Sequence, residues 1–203
     1  MFFLQSCAYA IYDDKRLLDT MTQDEALAKS IKAELMKKDF LGSFSISVYS
    51  FYKHVFLVGQ IPANLQSKAL RIAQSKNPIS VTTHWFTFRK AQDSDFLLKS
   101  KLRAVLISTK GLSSTRVETE INAGRVVLLG VVESEAERKL AARAARRVEG
   151  IIDVTNFLML PLNAKTLQKE PQLEEPSPME MPEQEARTPV KNEPATTFEE
   201  REL

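Results

Sequence analysis

The sequence contains one cysteine, two histidines and six glycines among 203 residues, and these shortages argue against several classes of protein. A single cysteine, Cys7, cannot form a disulfide within the chain, and two histidines are too few for a zinc site. No apolar run approaches the ~18 residues that span a bilayer. No glycine-rich phosphate loop, Gly-x-Ser-x-Gly or His-Glu-x-x-His pattern occurs. The sequence therefore predicts a binding or structural protein, not an enzyme, with no cofactor and no metal site.

Acidic residues are absent from a long stretch of the chain, residues 40–92. This stretch carries six basic residues: Lys53, Lys68, Arg71, Lys76, Arg89 and Lys90. A basic surface without neighbouring acids attracts anionic partners such as phospholipid headgroups, nucleic acid or glycans. The alternative is that acids from other segments fold beside this stretch and neutralise it.

Large apolar residues become scarce after residue 161, where the composition changes. Residues 162–203 contain six of the nine prolines and no glycine, and five Lys or Arg against ten Glu, a net charge of −5. Such a segment cannot bury enough apolar surface to offset the entropy of ordering it. We expect a disordered acidic tail that is dispensable for folding.

The rest of the chain contains an internal repeat with an offset of 71 residues. Asp24 aligns with Asp95 and Leu27 with Leu98, and the run VFLVG at 55–59 aligns with VVLLG at 126–130. After the last helix the offset becomes 73, which aligns Val81 with Val154. The chain therefore has two tandem copies of one module of about 70 residues. We place an N-terminal anchor and linker at 1–21, module 1 at 22–90 and module 2 at 91–161.

Each copy predicts the order helix, strand, strand, helix, strand. Leucines at i, i+4 and i+8 mark the first helix, and alternating apolar residues mark the strand after it. Two helices on one face of a three-stranded sheet form a stable two-layer arrangement, so the predicted fold class is α+β. Thr22 and Glu25 resemble a capping box, which predicts that the first helix begins at Thr22.

The predicted hairpin turns of the two copies differ in sequence. In copy two, the residues Asn122, Ala123 and Gly124 predict a tight turn with glycine in the left-handed conformation. Copy one has Phe51, Tyr52 and Lys53 at this place. Because no glycine is present there, we expect a different turn.

These motifs resemble the BON domain family, a family of bacterial domains. The resemblance rests on Asp-x-x-Leu in the first helix of each copy and on Gly-x-Val-x-Leu-x-Gly at 124–130. Copy two fits nearly throughout, whereas copy one lacks the first glycine and has Asn77-Pro78 where Val-x-Gly would end. The resemblance covers about residues 22–161 and implies two tandem αββαβ modules.

Tandem BON modules behind an N-terminal cysteine resemble periplasmic lipoproteins of the outer membrane that bind anionic phospholipid and are associated with envelope stress. Leu4, Gln5, Ser6 and Cys7 resemble the end of a lipobox, in which the cysteine becomes the acylated N-terminus. Only six residues precede Cys7. Either translation begins upstream and Cys7 carries the lipid anchor, or Cys7 is an ordinary cysteine of a soluble periplasmic protein.

The first helix of module 2 is the candidate lipid-binding element. If Leu98, Leu102, Val105 and Leu106 point to the core, a separate face carries Phe96, Lys99, Arg103 and Ile107, with Leu97 nearby. Apolar groups beside cations suit a membrane interface. The resemblance also implies that this helix of the second module contacts lipid. The alternative is that Phe96 and Leu97 pack between the modules.

Three functions compete on the sequence alone. The leading one is a non-enzymatic periplasmic lipoprotein that binds an anionic phospholipid membrane and supports outer-membrane integrity. The second is a protein-interaction scaffold in an envelope complex without direct lipid binding, its acidic tail recruiting a protein partner. Nucleic-acid binding is the third, and we do not predict it, because a KH-type domain requires a Gly-x-x-Gly loop that the sequence lacks.

Overall fold

The computed structural model describes Arg16, residues 18–89 and residues 94–162. The predicted lipid anchor at Cys7 lies outside the described residues, as does the predicted acidic tail apart from Leu162.

Module 1 contains three helices and three strands, in the predicted order with one short helix added. They are α1 (Leu18–Lys38), α2 (Phe40–Ser43), β1 (Ile46–Phe51), β2 (His54–Gly59), α3 (Ala63–Gln74) and β3 (Ser80–Trp85). The short helix α2 lies between α1 and β1, and β1 begins at Ile46.

Module 2 repeats this order with a 3-10 turn in place of the short helix. Its elements are α4 (Asp95–Ser108), the 3-10 turn Ser114–Arg116, β4 (Val117–Asn122), β5 (Arg125–Val131), α5 (Glu135–Arg146) and β6 (Asp153–Met159). Strand β4 begins 71 residues after β1, and β6 begins 73 residues after β3. The repeat and its two-residue insertion are therefore confirmed.

Each module forms one three-stranded sheet with its second strand in the centre. The first two strands of each sheet are antiparallel, and the third strand pairs in parallel with the second. The α3 and α5 helices provide the crossovers that a parallel pair requires. The predicted α+β architecture is confirmed.

Successive residues of the central strands β2 and β5 are buried. Since successive side chains of a strand point to opposite faces of the sheet, both faces of these strands are covered. In β2, Val55 and Leu57 join the helix-covered core of module 1, which also contains Ile31 and Leu35 of α1. In module 2, the corresponding core receives side chains from β5, from α4 and from the alanines of α5: Leu102, Leu106, Val126, Leu128, Ala141, Ala142, Ala144 and Ala145.

The other faces of the two sheets pack against each other. Phe56 and Val58 of β2 share a buried cluster with Val127 and Leu129 of β5, and Leu162 packs at its edge. The hydroxyl of Tyr49 donates a hydrogen bond to Glu120 Oε1 at 2.5 Å. The molecule therefore has four layers. The two sheets form the inner layers, α1 and α3 form one outer layer, and α4 and α5 form the other. No pattern in the sequence predicted this interface.

The first helix of module 1 begins before the predicted capping box. Helix α1 begins at Leu18, so Thr22 lies inside it and donates its hydroxyl to Leu18 O at 2.9 Å. The capping-box prediction is therefore wrong, because a threonine inside a helix bonds the carbonyl of the preceding turn instead of an N-terminal N–H.

The hairpin turns of the two modules have the same conformation, which corrects the prediction that they differ. Tyr52 and Lys53 have φ of 53° and 61°, while Ala123 and Gly124 have 48° and 77°. Two successive positive φ values are the signature of a type I′ turn. Module 1 adopts this turn without glycine.

An aspartate of the first helix holds each turn, and the one in module 1, Asp24, is buried. Asp24 accepts hydrogen bonds from the backbone N–H groups of Tyr52 and Lys53 at 2.8 and 2.7 Å. It also accepts from Ser50 Oγ at 2.8 Å and from Arg16 Nη1 at 2.7 Å. Hydrogen bonds to a carboxylate are stronger than neutral ones, so they offset the strain of the left-handed residues. The aspartate of the Asp-x-x-Leu motif thus binds the hairpin turn.

Candidate functional site

The candidate site is the outer face of α4, and the core stripe of that helix determines which face is outside. Leu98, Leu102 and Leu106 are fully buried against the module 2 sheet. These are the residues that the sequence predicted for the core, with Val105 packed beside them.

The predicted site residues are all exposed. Phe96 is 82% exposed, Leu97 49% and Ile107 61%, and Lys99 and Arg103 also lie at the surface. The alternative that Phe96 and Leu97 pack between the modules is therefore wrong. At 100° per residue, positions 96, 99, 103 and 107 share one helix face, which extends about 16 Å along the axis.

The N-terminal end of α4 is held by the hairpin turn of its own module. Asp95 accepts hydrogen bonds from the N–H groups of Ala123 and Gly124 at 3.0 and 3.4 Å. Ser94 occupies the N-cap position, but its side chain makes no capping bond. Since Asp95 binds the turn, Phe96 and Leu97 are presented beside it on a fixed backbone.

Two exposed apolar residues that the sequence analysis missed lie next to residues bound at this turn. Phe88 is 76% exposed and follows Thr87, whose backbone oxygen accepts from Arg125 Nη2 at 2.7 Å. Ile152 is 54% exposed and donates its own N–H to Gly124 O at 2.8 Å. Both residues lie outside the helices and strands, so no helical or strand periodicity in the sequence predicted their exposure.

The cations of α4 differ in how they are held. Arg103 Nη1 donates to Ser114 O at 3.3 Å, which directs its guanidinium toward the 3-10 turn. Among the described residues, Lys99 forms no salt bridge. The α4 face therefore combines three exposed apolar side chains with two cations, Lys99 and Arg103, that form no salt bridge with a described acid.

The matching face of α1 in module 1 has a different chemistry. Glu25 pairs with Lys29 at 2.6 Å, and Ala28 offers little apolar surface. Lys32 turns toward the protein and donates to Ser43 O and Ile46 O, both at 2.6 Å. Burial lowers the pKa of Lys32, and the nearby charge of Glu120 opposes that shift. The α1 face of module 1 therefore lacks the exposed large apolar side chains that the α4 face of module 2 carries.

The basic residues of α5, Arg138, Lys139, Arg143 and Arg146, are only partly balanced by the acids of the same helix. Glu135 pairs with Arg138 at 2.9 Å and lies 3.9 Å from Lys139. Glu137 is buried and accepts from the N–H groups of Ser113 and Glu133 at 2.8 and 2.6 Å. Its charge therefore serves the loops that precede β4 and α5, not the outer surface.

The histidines show no catalytic arrangement in the part of the chain that the structure describes. His54 Nδ1 lies 2.7 Å from Ser80 Oγ, and His84 packs its ring against Phe86 and Phe157. Within residues 18–89 and 94–162, no group of three His, Cys, Asp or Glu could hold a metal ion. Nor is any described helix long and apolar enough to cross a bilayer.

Two solved structures superpose only weakly on this chain. Two structures of CdsD, a structural protein of the type III secretion system of Chlamydia trachomatis, are 16% and 14% identical to this chain, with TM-scores of 0.30 and 0.31. They cover 68% and 70% of this chain and 67% and 66% of their own. Superpositions this poor support no argument about function.

Sequence comparison is more informative. Osmotically-inducible protein Y of Escherichia coli (strain K12) is 28% identical over 143 residues, which cover 66% of this chain and 71% of that protein. The BON domain matches twice, at residues 23–82 and 94–160, and these ranges coincide with the two structural modules. The chain therefore belongs to the BON domain family, as a tandem pair of these domains.

Proposed function

We propose that the protein is a non-enzymatic component of the periplasm that binds anionic phospholipid through the outer face of α4. The observation that carries this proposal is the exposure of Phe96 and Leu97 beside Lys99, on a helix whose core stripe is already buried. Apolar side chains enter the boundary between headgroups and acyl chains, and cations contact phosphate.

The similarity to an osmotically inducible protein supports a role in envelope stress, here the support of outer-membrane integrity. We further propose that Cys7 is acylated and anchors the protein to the outer membrane. Several lipid chains give stable attachment where one gives only marginal binding. Mass spectrometry of the native N-terminus tests this: an unmodified Cys7 in the mature protein contradicts the anchor.

The aromatic residue contributes at least as much to the proposed contact as either cation. A cation near an anionic surface contributes about 1 kcal/mol within a Debye length of about 8 Å at physiological salt. Full burial of a phenylalanine or leucine side chain contributes about 1.5–3 kcal/mol. Removal of the two apolar side chains should therefore abolish binding through the α4 face.

The test is flotation of the full chain with vesicles of equal parts phosphatidylglycerol and phosphatidylcholine, and with vesicles of phosphatidylcholine alone. We expect the wild type to bind only the anionic vesicles, and the double variant Phe96→Glu, Leu97→Glu to lose the α4 contribution. The matched control is Leu18→Glu, Ile79→Glu, which makes the same charge change at two exposed apolar residues of module 1.

Circular dichroism of both variants checks that the fold is retained. If the α4 double variant floats as the wild type does, the α4 face is not the binding surface. If the wild type ignores anionic vesicles, a protein-interaction scaffold becomes the better explanation of the exposed face.

A further inference from the structure

Module 1 carries its own exposed apolar surface, which we call the α2 patch: Phe40, Leu41 and Phe44. Leu41 is 80% exposed, and the two phenylalanines are 58% and 63% exposed. The phenylalanine rings contact each other edge to face, with centroids 5.0 Å apart. Contiguous exposed apolar groups on a folded protein mark an interaction surface.

The fold does not require these aromatic residues. At the offset of 71, Phe40 corresponds to Gly111 and Phe44 to Thr115 in module 2. Leu41 corresponds to Leu112, which is partly buried against the module 2 core. Since module 2 builds the same sheet without the patch, the patch serves something other than folding.

The backbone of the patch is held in place. Asp39 caps α2 by accepting from Gly42 N–H at 2.9 Å, and Ser43 Oγ donates to Phe40 O at 2.7 Å. Lys32 Nζ donates to Ser43 O at 2.6 Å. Gly42 packs so tightly that a Cβ atom would lie 2.9 Å from Leu65 Cδ1 of α3. The exposed rings are therefore displayed on a rigid support, which lowers the entropic cost of binding.

Basic side chains lie beside the patch. The described residues that line a surface depression of about 460 Å³ include one acid, Glu34, and four cations: Lys38, Lys68, Arg71 and Lys76. Lys68 Nζ donates to Lys38 O at 3.3 Å, joining α3 to the end of α1 where α2 begins. Three of the six basic residues of the acid-free stretch, Lys68, Arg71 and Lys76, thus line a basic surface together with Lys38 of α1, next to the exposed apolar groups.

We propose that the α2 patch and this basic depression form a second surface for anionic phospholipid. The proposal rests on the proposed function for its class of ligand. The α2 patch belongs to the α1 and α3 layer, whereas α4 lies in the outer layer across the two sheets. Two lipid surfaces on opposite outer layers allow one chain to hold two bilayers together.

The test combines vesicle binding with vesicle clustering, measured by flotation and by dynamic light scattering on the same phosphatidylglycerol–phosphatidylcholine vesicles. The variant is Leu41→Glu in the full chain, and its matched control is Ile79→Glu, which alters an exposed aliphatic residue elsewhere in module 1. Each is made in the wild type and in the Phe96→Glu, Leu97→Glu background.

We expect Leu41→Glu to abolish clustering in the wild type while α4 maintains binding. In the α4 double-variant background, we expect it to weaken the residual affinity by about tenfold or more, equivalent to ~1.4 kcal/mol. The control should change neither quantity. Arg71→Gln with Lys76→Gln should also weaken residual binding and reduce its dependence on salt.

The failure of this proposal differs from the failure of the proposed function. If Leu41→Glu matches its control in both clustering and residual binding, the second surface is overturned, and a protein partner becomes the better occupant of the patch. If Phe96→Glu, Leu97→Glu binds as the wild type does while Leu41→Glu abolishes binding, the α4 site fails and the α2 surface stands.

Discussion

At the residue scale, the two hairpin turns show how one backbone shape is reached by two chemistries. Module 2 uses Gly124, whose missing side chain removes the cost of a positive φ. Module 1 places Lys53 at the same position and relies on four donors that converge on Asp24. The bonds from Asp95 to the module 2 turn are fewer and longer.

Exchanging the residues at this turn position should have opposite effects in the two modules. Lys53→Gly relieves a left-handed side-chain conformation and should raise the free energy of unfolding by about 1 kcal/mol. Gly124→Lys should lower it by more, because a Cβ atom there would also lie 2.7 Å from Gly150 O. Urea denaturation measures both, and two shifts of the same sign would contradict this account.

A second residue-scale prediction concerns His84, which lies between the modules. Burial lowers its pKa, the charge of Asp153 opposes that shift, and the charge of Arg125 adds to it. Below about pH 6.5, the unfolded chain therefore binds a proton more readily than the folded chain does. The free energy of unfolding should fall as the pH drops below that value.

The control for this effect is His84→Phe, which removes the titrating ring and retains its packing against Phe86 and Phe157. Urea denaturation between about pH 8 and 5 should show a shallower decline for the variant than for the wild type. Parallel curves would show that other groups cause the decline.

At the element scale, the end of each central strand is shaped by a glycine. Gly59 in β2 and Gly130 in β5 lie against the backbone oxygens of Ser45 and Arg116, which precede β1 and β4. The structure shows that the element approaching them is the chain entering the neighbouring strand, not a helix.

Gly59→Ala should therefore destabilise module 1 by several kcal/mol, because the added Cβ would overlap the oxygen of Ser45 and force the start of β1 away. The control is Ser47→Ala, which lies in β1 without touching this contact. Thermal unfolding followed by circular dichroism measures the difference. Equal midpoints for the two variants would show that the strand entry shifts at little cost.

At the scale of the whole molecule, the interface between the sheets makes two small modules into one body. Domains of about 70 residues have limited cores of their own. Here the faces that the helices leave uncovered bury Phe56 and Val58 against Val127 and Leu129. We therefore expect the two modules to unfold together as one cooperative unit.

Val127→Asp should uncouple the modules. Val127 is fully buried between the sheets and points away from the helices of its own module, so a carboxylate there places an unpaired charge in the interface. We expect the wild type to unfold in one transition and the variant in two, by differential scanning calorimetry. The control Val132→Ala removes volume from the module 2 core instead. A single transition in Val127→Asp would mean that the linker, not the interface, couples the modules.

Local patterns account for what the sequence determined by itself. The repeat, the order of elements, the core stripe of α4 and the glycine turn at Gly124 depend on residues close together along the chain, so their spacing predicts them. The exposure of Phe96 and Leu97 follows from the same helical periodicity once Leu98 and Leu102 are placed in the core.

Only the tertiary structure decided the features that depend on partners distant in sequence. The turn at Tyr52 and Lys53 is held by Asp24, from 28 and 29 residues away. Glu137 is turned inward by the N–H of Ser113, 24 residues away. The sheet interface and the α2 patch depend on which faces remain uncovered after packing. Local sequence periodicity does not predict these contacts, because they depend on the free energy of burying surfaces that meet only in the folded chain.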